Sequence, residues 1–313
     1  MNVNCNRHFS SDREGPQRIL PDSWPNKASS HFLSIGNLNW HIQFHACKSP
    51  SSLTIVLLHG TGSSTHSWAD LIAPLTRVGC VVSVDLPGHG FTTGAAQQML
   101  TLPAMARELH QLFLAVGLHG QVALVGHSAG APLAMEWALS YGDDQRLPFR
   151  LTRILGLNPS LVPPPPLYTT LLGPIVAPIA TSGPVTGLLA FIAANTRMVD
   201  QLLDSTASVI PEHHRQHYRY LFTRANHVQG AMGFMAGADL PSVLSRGTRL
   251  TVPIHFLVGA DDAWVREGPL RRVIQDSFPA ASTTVWPGGH LLHEERPEDV
   301  ARWITNALSE SRD

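Results

Sequence analysis

The chain has 313 residues, of which 43% are apolar and 14% are charged, so it can bury a core as one large α/β domain or two smaller domains. Its formal net charge of −1 excludes a bulk electrostatic attraction to nucleic acid. Its three cysteines form neither a disulfide framework nor a zinc-binding spacing, which suits a reducing compartment.

Residues 1–30 are polar and combine proline, asparagine and serine with charges of both signs. They lack the apolar core of a signal peptide. We therefore interpret them as a loosely ordered N-terminal extension. We expect a cytoplasmic protein, with peripheral contact to a membrane as an open alternative.

Downstream of residue 30, short apolar runs alternate with helical patterns, which is typical of a mostly parallel sheet wrapped by helices. Apolar and polar residues alternate around Gly36-Asn37, which predicts an antiparallel hairpin over residues 32–46. The predicted buried strands are Leu53–Leu58, Val81–Val84, Val122–Val125, Arg153–Leu157, Pro253–Val258 and Thr283–Trp286. The predicted helices are Ser67–Val78, Leu102–Val116, Ala129–Ser140 and Arg296–Leu308.

The alternation breaks in one long apolar segment, because no charged side chain occurs from Ile154 to Thr196. Four consecutive prolines, Pro163–Pro166, favour an extended conformation and suit a hinge. The apolar run over residues 171–194 raises the alternative of a membrane helix, but three prolines and three glycines would break it repeatedly. We expect an inserted apolar lid of short helices instead.

These features divide the chain into four segments. They are the extension at 1–30, the first part of the α/β core at 31–160, the apolar helical lid at 161–240 and the second part of the core at 241–313.

Gly126-His127-Ser128-Ala129-Gly130 is a complete G-x-S-x-G motif between a predicted strand and a predicted helix. At such a turn a serine is held in a strained conformation with its hydroxyl above the sheet. Ser128 is therefore the candidate nucleophile. The alternative is a surface turn that contains glycine and serine by chance.

A serine hydroxyl needs a neighbouring base, and that base needs a carboxylate to orient it. In a sheet of this kind the acid and the histidine follow the serine in the chain, each directly after a strand. Asp261 and Asp262 follow the strand that ends at Val258, and either could supply the carboxylate. His290 follows the last strand and is favoured as the base over His293, which is expected in a loop or at a helix start.

Acyl transfer also needs N–H donors for the oxyanion. The amide of Ala129, directly after the serine, is one candidate. The loop that begins at His59 is expected to supply the other, from Thr61 first and Gly62 second, because its glycines permit close approach of the backbone to a substrate.

Seventeen histidines raise the alternative of a metal site, above all at His213, His214 and His217. No set of zinc spacing completes such a site in the sequence, so we expect a solvated polar helix there and predict neither a metal nor a cofactor. Asp85 and His89 are assigned to loop structure, and His127 is expected to pack or hydrogen-bond beneath the site. The glycines match neither a P-loop nor a dinucleotide fingerprint, which excludes nucleotide binding by these motifs.

Over residues 31–313 the chain resembles the α/β-hydrolase superfamily, through the motifs LLHGTGSSTHSW, VDLPGHG, LVGHSAG, VGADDAWV and GGHLLHEERPE in that order. The resemblance implies an eight-stranded, mostly parallel sheet with helices on both faces and an inserted helical lid. It also implies a catalytic triad of Ser128, Asp262 and His290, because the family acid stands three residues after the glycine in G-x-x-D-x-x-V, which here is Gly259 to Val265.

A narrower resemblance is to the BchO-like magnesium-chelatase accessory proteins of bacteriochlorophyll biosynthesis. It is carried by WPNKASSHFLSIGNLNWHIQ, HGTGSSTHSW, DLPGHGFT, GHSAGAPLA, LNPSLVPPPP and HVQGAMGFMAGADL. This resemblance implies a role in photosynthetic pigment synthesis near the step that inserts magnesium into protoporphyrin, and it names magnesium chelatase subunits as candidate partners.

The leading functional hypothesis is a serine hydrolase that cleaves an ester or related acyl bond of a hydrophobic substrate, such as a tetrapyrrole or its isoprenoid ester. One alternative is a non-catalytic factor that binds porphyrin or assists the chelatase. Another is a cofactor-free haloperoxidase-like enzyme or a carbon–carbon bond hydrolase. Epoxide hydrolase and dehalogenase chemistry would place an aspartate at position 128, where this chain has Ser128.

Overall fold

The computed structural model describes residues 15, 19–48, 51–163 and 182–310. Within this part of the chain, eight strands form one sheet in the order β1-β2-β4-β3-β5-β6-β7-β8. The strands are β1 Ser30–Ile35, β2 Leu38–His45, β3 Leu53–Leu58, β4 Cys80–Val84, β5 Gly120–His127, β6 Phe149–Leu157, β7 Ile254–Gly259 and β8 Ser282–Trp286. β2 pairs antiparallel with β1 and β4, and the pairs from β4 to β8 are parallel, so the predicted sheet is confirmed.

The described α-helices occur between the strands and after the last one. They are α1 Ala69–Leu75, α2 Leu102–Ala115, α3 Gly130–Tyr141, α4 Gly183–Asn195, α5 Met198–Asp204, α6 Glu212–Phe222, α7 Ala225–Gly237, α8 Leu240–Leu244, α9 Glu267–Ser277, α10 Leu292–Glu295 and α11 Pro297–Ser309.

The two faces of the sheet are covered by separate apolar clusters. In β3, Val56 and Leu58 join the residues packed under α2 and α3, whereas Ile55 and Leu57 join those packed under α1 and α11. Successive side chains of a strand point to opposite faces, so a central strand that is apolar throughout is buried on both sides. This burial explains why the short apolar runs of the sequence form the sheet interior.

Residues 19–30 differ from the expectation of a loosely ordered extension. Trp24 is 2% exposed and packs edge-on against the ring of Phe91. Leu20 and Leu221 belong to the same buried cluster, so this stretch is attached to both the core and α6. Burial of the apolar surface of Trp24 and Leu20 stabilises this packing, although most residues of the segment are polar. Residues 1–14 and 16–18, the rest of the predicted extension, lie outside the described residues.

Cys80 also differs from expectation, because it is disulfide-bonded, whereas Cys47 has a free thiol. The count and spacing of the cysteines contained no signal for this bond.

Helices α4 to α8 lie between β6 and β7 in the chain, where the sequence predicts an inserted lid. Pro164, Pro165 and Pro166 of the proposed hinge, together with Pro174 and Pro178, lie outside the described residues. In the described part of the chain, no helix is both long and apolar enough to span a bilayer.

Helix α7 crosses the loop after β4 at very short range. A Cβ atom added to Gly230 would lie 1.9 Å from the carbonyl oxygen of Gly88. Two glycines at the crossing therefore allow a helix of the insertion to touch the backbone of the core.

We predict that Gly230→Ala destabilises the protein by about 1–3 kcal/mol, because the added methyl group must displace backbone. Gly187→Ala in α4 is the matched control, since its Cβ would meet nothing within 4 Å. That substitution is expected to be neutral or to stabilise by up to about 1 kcal/mol. Chemical denaturation of both variants measures the difference, and equal stabilities would contradict the prediction.

Candidate active site

Three loops meet at the edge of the sheet where the parallel strands end. Ser128 follows β5, Asp262 follows β7 and His290 follows β8. Open α/β sheets place their ligands at this edge. All three side chains are largely buried, with relative exposures of 8% for Ser128 and 4% for the other two.

The turn at Ser128 is sharp and depends on the glycines around it. Ser128 has a φ of +49°, a left-handed conformation that is strained for a residue with a side chain. A Cβ added to Gly130 would lie 2.1 Å from the carbonyl oxygen of Leu58, and one added to Gly126 would lie 2.4 Å from the carbonyl carbon of Gly130. The G-x-S-x-G pattern therefore reflects the close approach of α3 to β3 and β5.

The hydroxyl of Ser128 begins a chain of hydrogen bonds. Its Oγ atom lies 2.9 Å from Nε2 of His290, and Nδ1 of the same ring lies 2.8 Å from Oδ2 of Asp262. Asp261, which the residues alone left as an alternative, points elsewhere, because its Oδ2 accepts a hydrogen bond from the amide of Gly288. The structure thus brings together the three predicted side chains, and Asp262 is the aspartate that contacts His290.

The carboxylate of Asp262 is surrounded by donors. Its Oδ1 atom accepts hydrogen bonds from the amides of Trp264 and Val265, both at 2.8 Å. Burial raises the pKa of this carboxyl group, but the charge and hydrogen bond of His290 and the other donors outweigh burial, so the pKa is lowered. Asp262 is therefore ionised at neutral pH and keeps Nδ1 of His290 as the proton-bearing nitrogen.

Asn158 contributes to this arrangement and was missed as a site residue by the sequence reasoning. Its Nδ2 donates to Oδ2 of Asp262 at 2.7 Å and to the carbonyl oxygen of Gly289 at 3.0 Å. It follows β6 with a φ of +43°, a conformation that asparagine adopts more readily than most residues. The only signal in the sequence was its position at the end of a strand adjacent to the strand before Asp262.

His127 and His293 lie beneath the site, as expected for His127. His127 Nε2 is 2.9 Å from the carbonyl oxygen of His290, to which it donates, and burial lowers its pKa to about 3. His293 lies beside it in α10 and is fully buried against the rings of His127 and Trp68. Both rings are packed, and neither replaces His290 next to Ser128.

The loop after β3 passes close to Ser128. A Cβ added to Gly60 would lie 2.8 Å from Cβ of Ser128, so only glycine permits this approach. Thr61, Gly62 and Ala129 line the cavity in front of Ser128. The candidate donors for an oxyanion thus line the same cavity as Ser128.

The cavity itself is mainly apolar, and its walls come from both the core and the insertion. Its apolar lining consists of Leu102, Ala129, Pro132, Val199, Leu202, Leu203, Phe222, Phe234, Met235, Ala238, Leu240, Trp264 and Leu291. Trp264 is stacked on the ring of His290, with centroids 5.6 Å apart. Such a lining favours apolar ligands.

The insertion also holds the histidine loop in place. The amide of His290 donates to the carbonyl oxygen of Thr206 at 3.0 Å, and the amide of Leu291 donates to Oγ of Ser208 at 2.8 Å. The loop that follows α5 therefore fixes the backbone at His290. The sequence contains no local signal for these contacts, because they join segments more than 80 residues apart.

Helix α6 is attached to the core by a buried polar network, in contrast to the expected solvated helix. His214 Nδ1 lies 2.7 Å from Glu294 Oε2, and Tyr218 donates from its hydroxyl to Glu294 Oε1 at 2.6 Å. His214 and His217 are buried, and His213 is exposed. The expectation was wrong for the two buried rings because the carboxylate that receives His214 comes from α10, far away in sequence.

Asp85 and His89 are structural, as the sequence analysis assigned them. Asp85 is fully buried and accepts hydrogen bonds from the amides of Thr65 and Phe91, and Nδ1 of His41 lies 2.7 Å from its Oδ2 atom. His89 Nδ1 donates to the carbonyl oxygen of Pro87 at 3.1 Å. These contacts order the turn after β4.

The model of the alpha/beta hydrolase family matches residues 55–303, which begin inside β3 and include the strands β4 to β8 and the three hydrogen-bonded side chains. The chain belongs to this family. The fold agrees, because it is similar to the enol-lactonase from Burkholderia xenovorans LB400, with a TM-score of 0.69, 15% identity and coverage of 89% of this chain and 100% of that one.

A second solved structure, the epoxide hydrolase CorEH, has a TM-score of 0.71 at 20% identity, with coverage of 88% of this chain and 97% of that one. At such identities the two structures show a common fold alone. Over 300 residues the chain is also 29% identical to the magnesium-chelatase 30 kDa subunit of Rhodobacter capsulatus, covering 93% of this chain and 98% of that protein. This alignment confirms the predicted resemblance to BchO-like proteins.

We predict that the stabilising effect of Asp262 is lost in acid. Its pKa is lowered in the folded protein, so the carboxylate stabilises the fold above its ordinary value of 3.8, and this contribution disappears as the pH falls through the lower folded value. The melting temperature of the wild type should exceed that of Asp262→Asn near neutral pH, and the gap should narrow below that ordinary value.

Asp261→Asn is the control. Asp261 is exposed, and within the described part of the chain its carboxylate accepts one hydrogen bond, from the amide of Gly288. It should change the melting temperature much less across the same pH series. A gap for Asp262→Asn that is constant with pH would contradict the assigned ionisation.

Proposed function

We propose that the protein is a serine hydrolase that cleaves an ester or related acyl bond of a hydrophobic substrate. The observation that carries this proposal is the hydrogen-bonded chain from Ser128 through His290 to Asp262, in which Ser128 and His290 line a mainly apolar cavity. A nucleophile, a base within hydrogen-bond reach and a carboxylate that orients the base are the parts that acyl transfer requires.

In the proposed mechanism, Oγ of Ser128 attacks the carbonyl carbon of the substrate while Nε2 of His290 accepts the hydroxyl proton. The amides of Ala129 and Thr61 stabilise the oxyanion of the tetrahedral intermediate. The intermediate collapses to an acyl-enzyme, and the protonated His290 gives its proton to the departing alcohol. A water molecule, deprotonated by His290, then releases the acid and restores Ser128.

Asp262 stabilises the imidazolium that forms in each step and keeps the ring in the required orientation. Asn158 also holds this carboxylate, because its Nδ2 donates to Oδ2 of Asp262, the oxygen that contacts His290. His127 positions the backbone of His290, and its low pKa keeps it neutral while the base is charged.

The lining of the cavity supports a hydrophobic substrate. Its walls are built from leucine, phenylalanine, valine, methionine and tryptophan side chains. No Asp, Glu, Lys or Arg lines it among the described residues. The full-length similarity to a magnesium-chelatase subunit supports a place in bacteriochlorophyll biosynthesis, with a tetrapyrrole or its isoprenoid ester as the substrate class.

We expect a fluorophosphonate probe to label the purified wild-type protein covalently at Ser128, because the probe reacts with serines that are activated by a base. Labelling should be absent from Ser128→Ala and slower by about 100-fold or more in His290→Gln, which lacks the base. Mass spectrometry of the labelled peptide and the rate of labelling measure both effects.

Ser160→Ala is the matched control, because Ser160 lines the same cavity outside the hydrogen-bonded chain. It should be labelled like the wild type. A folded wild-type protein that the probe does not label would overturn the proposal of an activated serine.

A second candidate is a non-catalytic accessory factor that binds a porphyrin or assists the chelatase. It is favoured by one observation, the alignment with the magnesium-chelatase 30 kDa subunit over nearly the full length of both chains. The buried, fully hydrogen-bonded carboxylate of Asp262 weighs against it, since a cavity that only binds has no need of an oriented base.

We predict that Ser128→Ala fails to restore bacteriochlorophyll in a strain that lacks this gene, while Ser160→Ala restores it. The serine variant removes one hydroxyl and leaves the cavity intact, so it separates catalysis from binding. Pigment extracted from the complemented strains is the measurement. Full restoration by Ser128→Ala, at equal protein levels, would support the accessory factor instead.

A further inference from the structure

A cluster of potential metal ligands lies where α6 meets α1. Asp70 is in the first turn of α1, and His213 and His214 are in the first turn of α6. One ligand atom from each of these three residues lies within 4.8 Å of the others. The two elements are 143 positions apart in sequence, from 70 to 213, so no spacing motif could have indicated the cluster.

The ring of His214 lies between two carboxylates. Its Nδ1 is 2.7 Å from the buried Oε2 of Glu294, and its Nε2 is 2.9 Å from Oδ2 of Asp70. A neutral imidazole has one N–H, so one of these two nitrogens would direct a lone pair at a carboxylate oxygen. With Nδ1 donating to Glu294, the lone pair of Nε2 faces Oδ2 of Asp70, so both atoms are placed to bind the same metal ion.

Glu294 performs the task of an outer-sphere partner in such an arrangement. Its carboxylate is 1% exposed and accepts from Nδ1 of His214, which leaves Nε2 as the nitrogen that faces Asp70. Metal-binding histidines commonly donate their other N–H to a carboxylate in this way. The hydroxyl of Tyr218 donates to the second oxygen of Glu294 and further restrains its position.

The remaining ligand lies beside this pair on the protein surface. The ring of His213 is 4.5 Å from that of His214, measured between centroids, and it is exposed. Asp70 has 46% of its side chain exposed, so an ion can reach the cluster from solvent.

We propose that Asp70, His213 and His214 form a binding site for a divalent cation of the zinc class. Two imidazoles and one carboxylate suit Zn²⁺, which takes nitrogen and oxygen ligands in a tetrahedral set with solvent at the fourth position. They do not suit Mg²⁺, which prefers oxygen ligands in an octahedral set. None of the three ligands lines the cavity at Ser128, and the ion connects α6 of the insertion to α1 of the core.

The test uses the full chain without a polyhistidine tag, freed of metal with a chelator that is then removed. Zn²⁺ is titrated by isothermal calorimetry, and Co²⁺ serves as a spectroscopic probe of nitrogen-containing tetrahedral coordination. We expect one equivalent of Zn²⁺ to bind to the wild type and to raise its melting temperature. Mg²⁺ at the same concentration should produce neither effect.

Two variants and a matched control identify the ligands. His213→Gln and Asp70→Asn alter exposed side chains, so they should fold, and each should weaken Zn²⁺ binding by about tenfold or more. His119→Gln, which changes a histidine far from the cluster in sequence, should bind like the wild type.

A wild type that binds no Zn²⁺, or that binds it equally well after His213→Gln, would overturn the proposed site. Neither result depends on hydrolytic activity, so the test is independent of the outcome of labelling at Ser128.

Discussion

The geometry of the candidate active site depends on the hydrogen bonds to the carboxylate of Asp262. This carboxylate is buried and accepts hydrogen bonds from His290, Asn158 and the two amides of Trp264 and Val265. These donors come from the loops after β6, β7 and β8, so one ionised group holds three strand ends together. A buried charge is tolerated only when it is matched in this way, which makes the arrangement specific as well as stable.

The insertion between β6 and β7 is part of this geometry and does more than cover a cavity. Thr206 and Ser208 accept hydrogen bonds from the backbone at His290 and Leu291, and α7 touches the core backbone at Gly88. The insertion therefore contacts the backbone at His290 as well as lining the cavity. The buried pair of His214 and Glu294 adds a polar connection between the same insertion and α10.

Much of the site was predictable because its parts are local in sequence. The strained turn at Ser128 requires glycines at fixed offsets, and a parallel sheet places the acid and the base directly after later strands. The choice between Asp261 and Asp262 came from family resemblance, and the structure agrees because only Asp262 faces His290. Asn158 escaped prediction, since its role exists only where neighbouring strand ends meet. The packing of Trp24 was missed because two of its partners are distant in sequence: Phe91 follows β4 and Leu221 lies in α6.

By itself, the sequence determined the order of the elements, the parallel sheet and the positions of Ser128 and His290 at strand ends, because apolar periodicity and turn glycines act over a few residues. Only the tertiary structure decided which polar groups surround Asp262, that α6 is attached through buried histidines, and that Asp70 meets His213 and His214. Those contacts depend on the folded path of the chain, which brings distant residues within hydrogen-bond range and removes water between them.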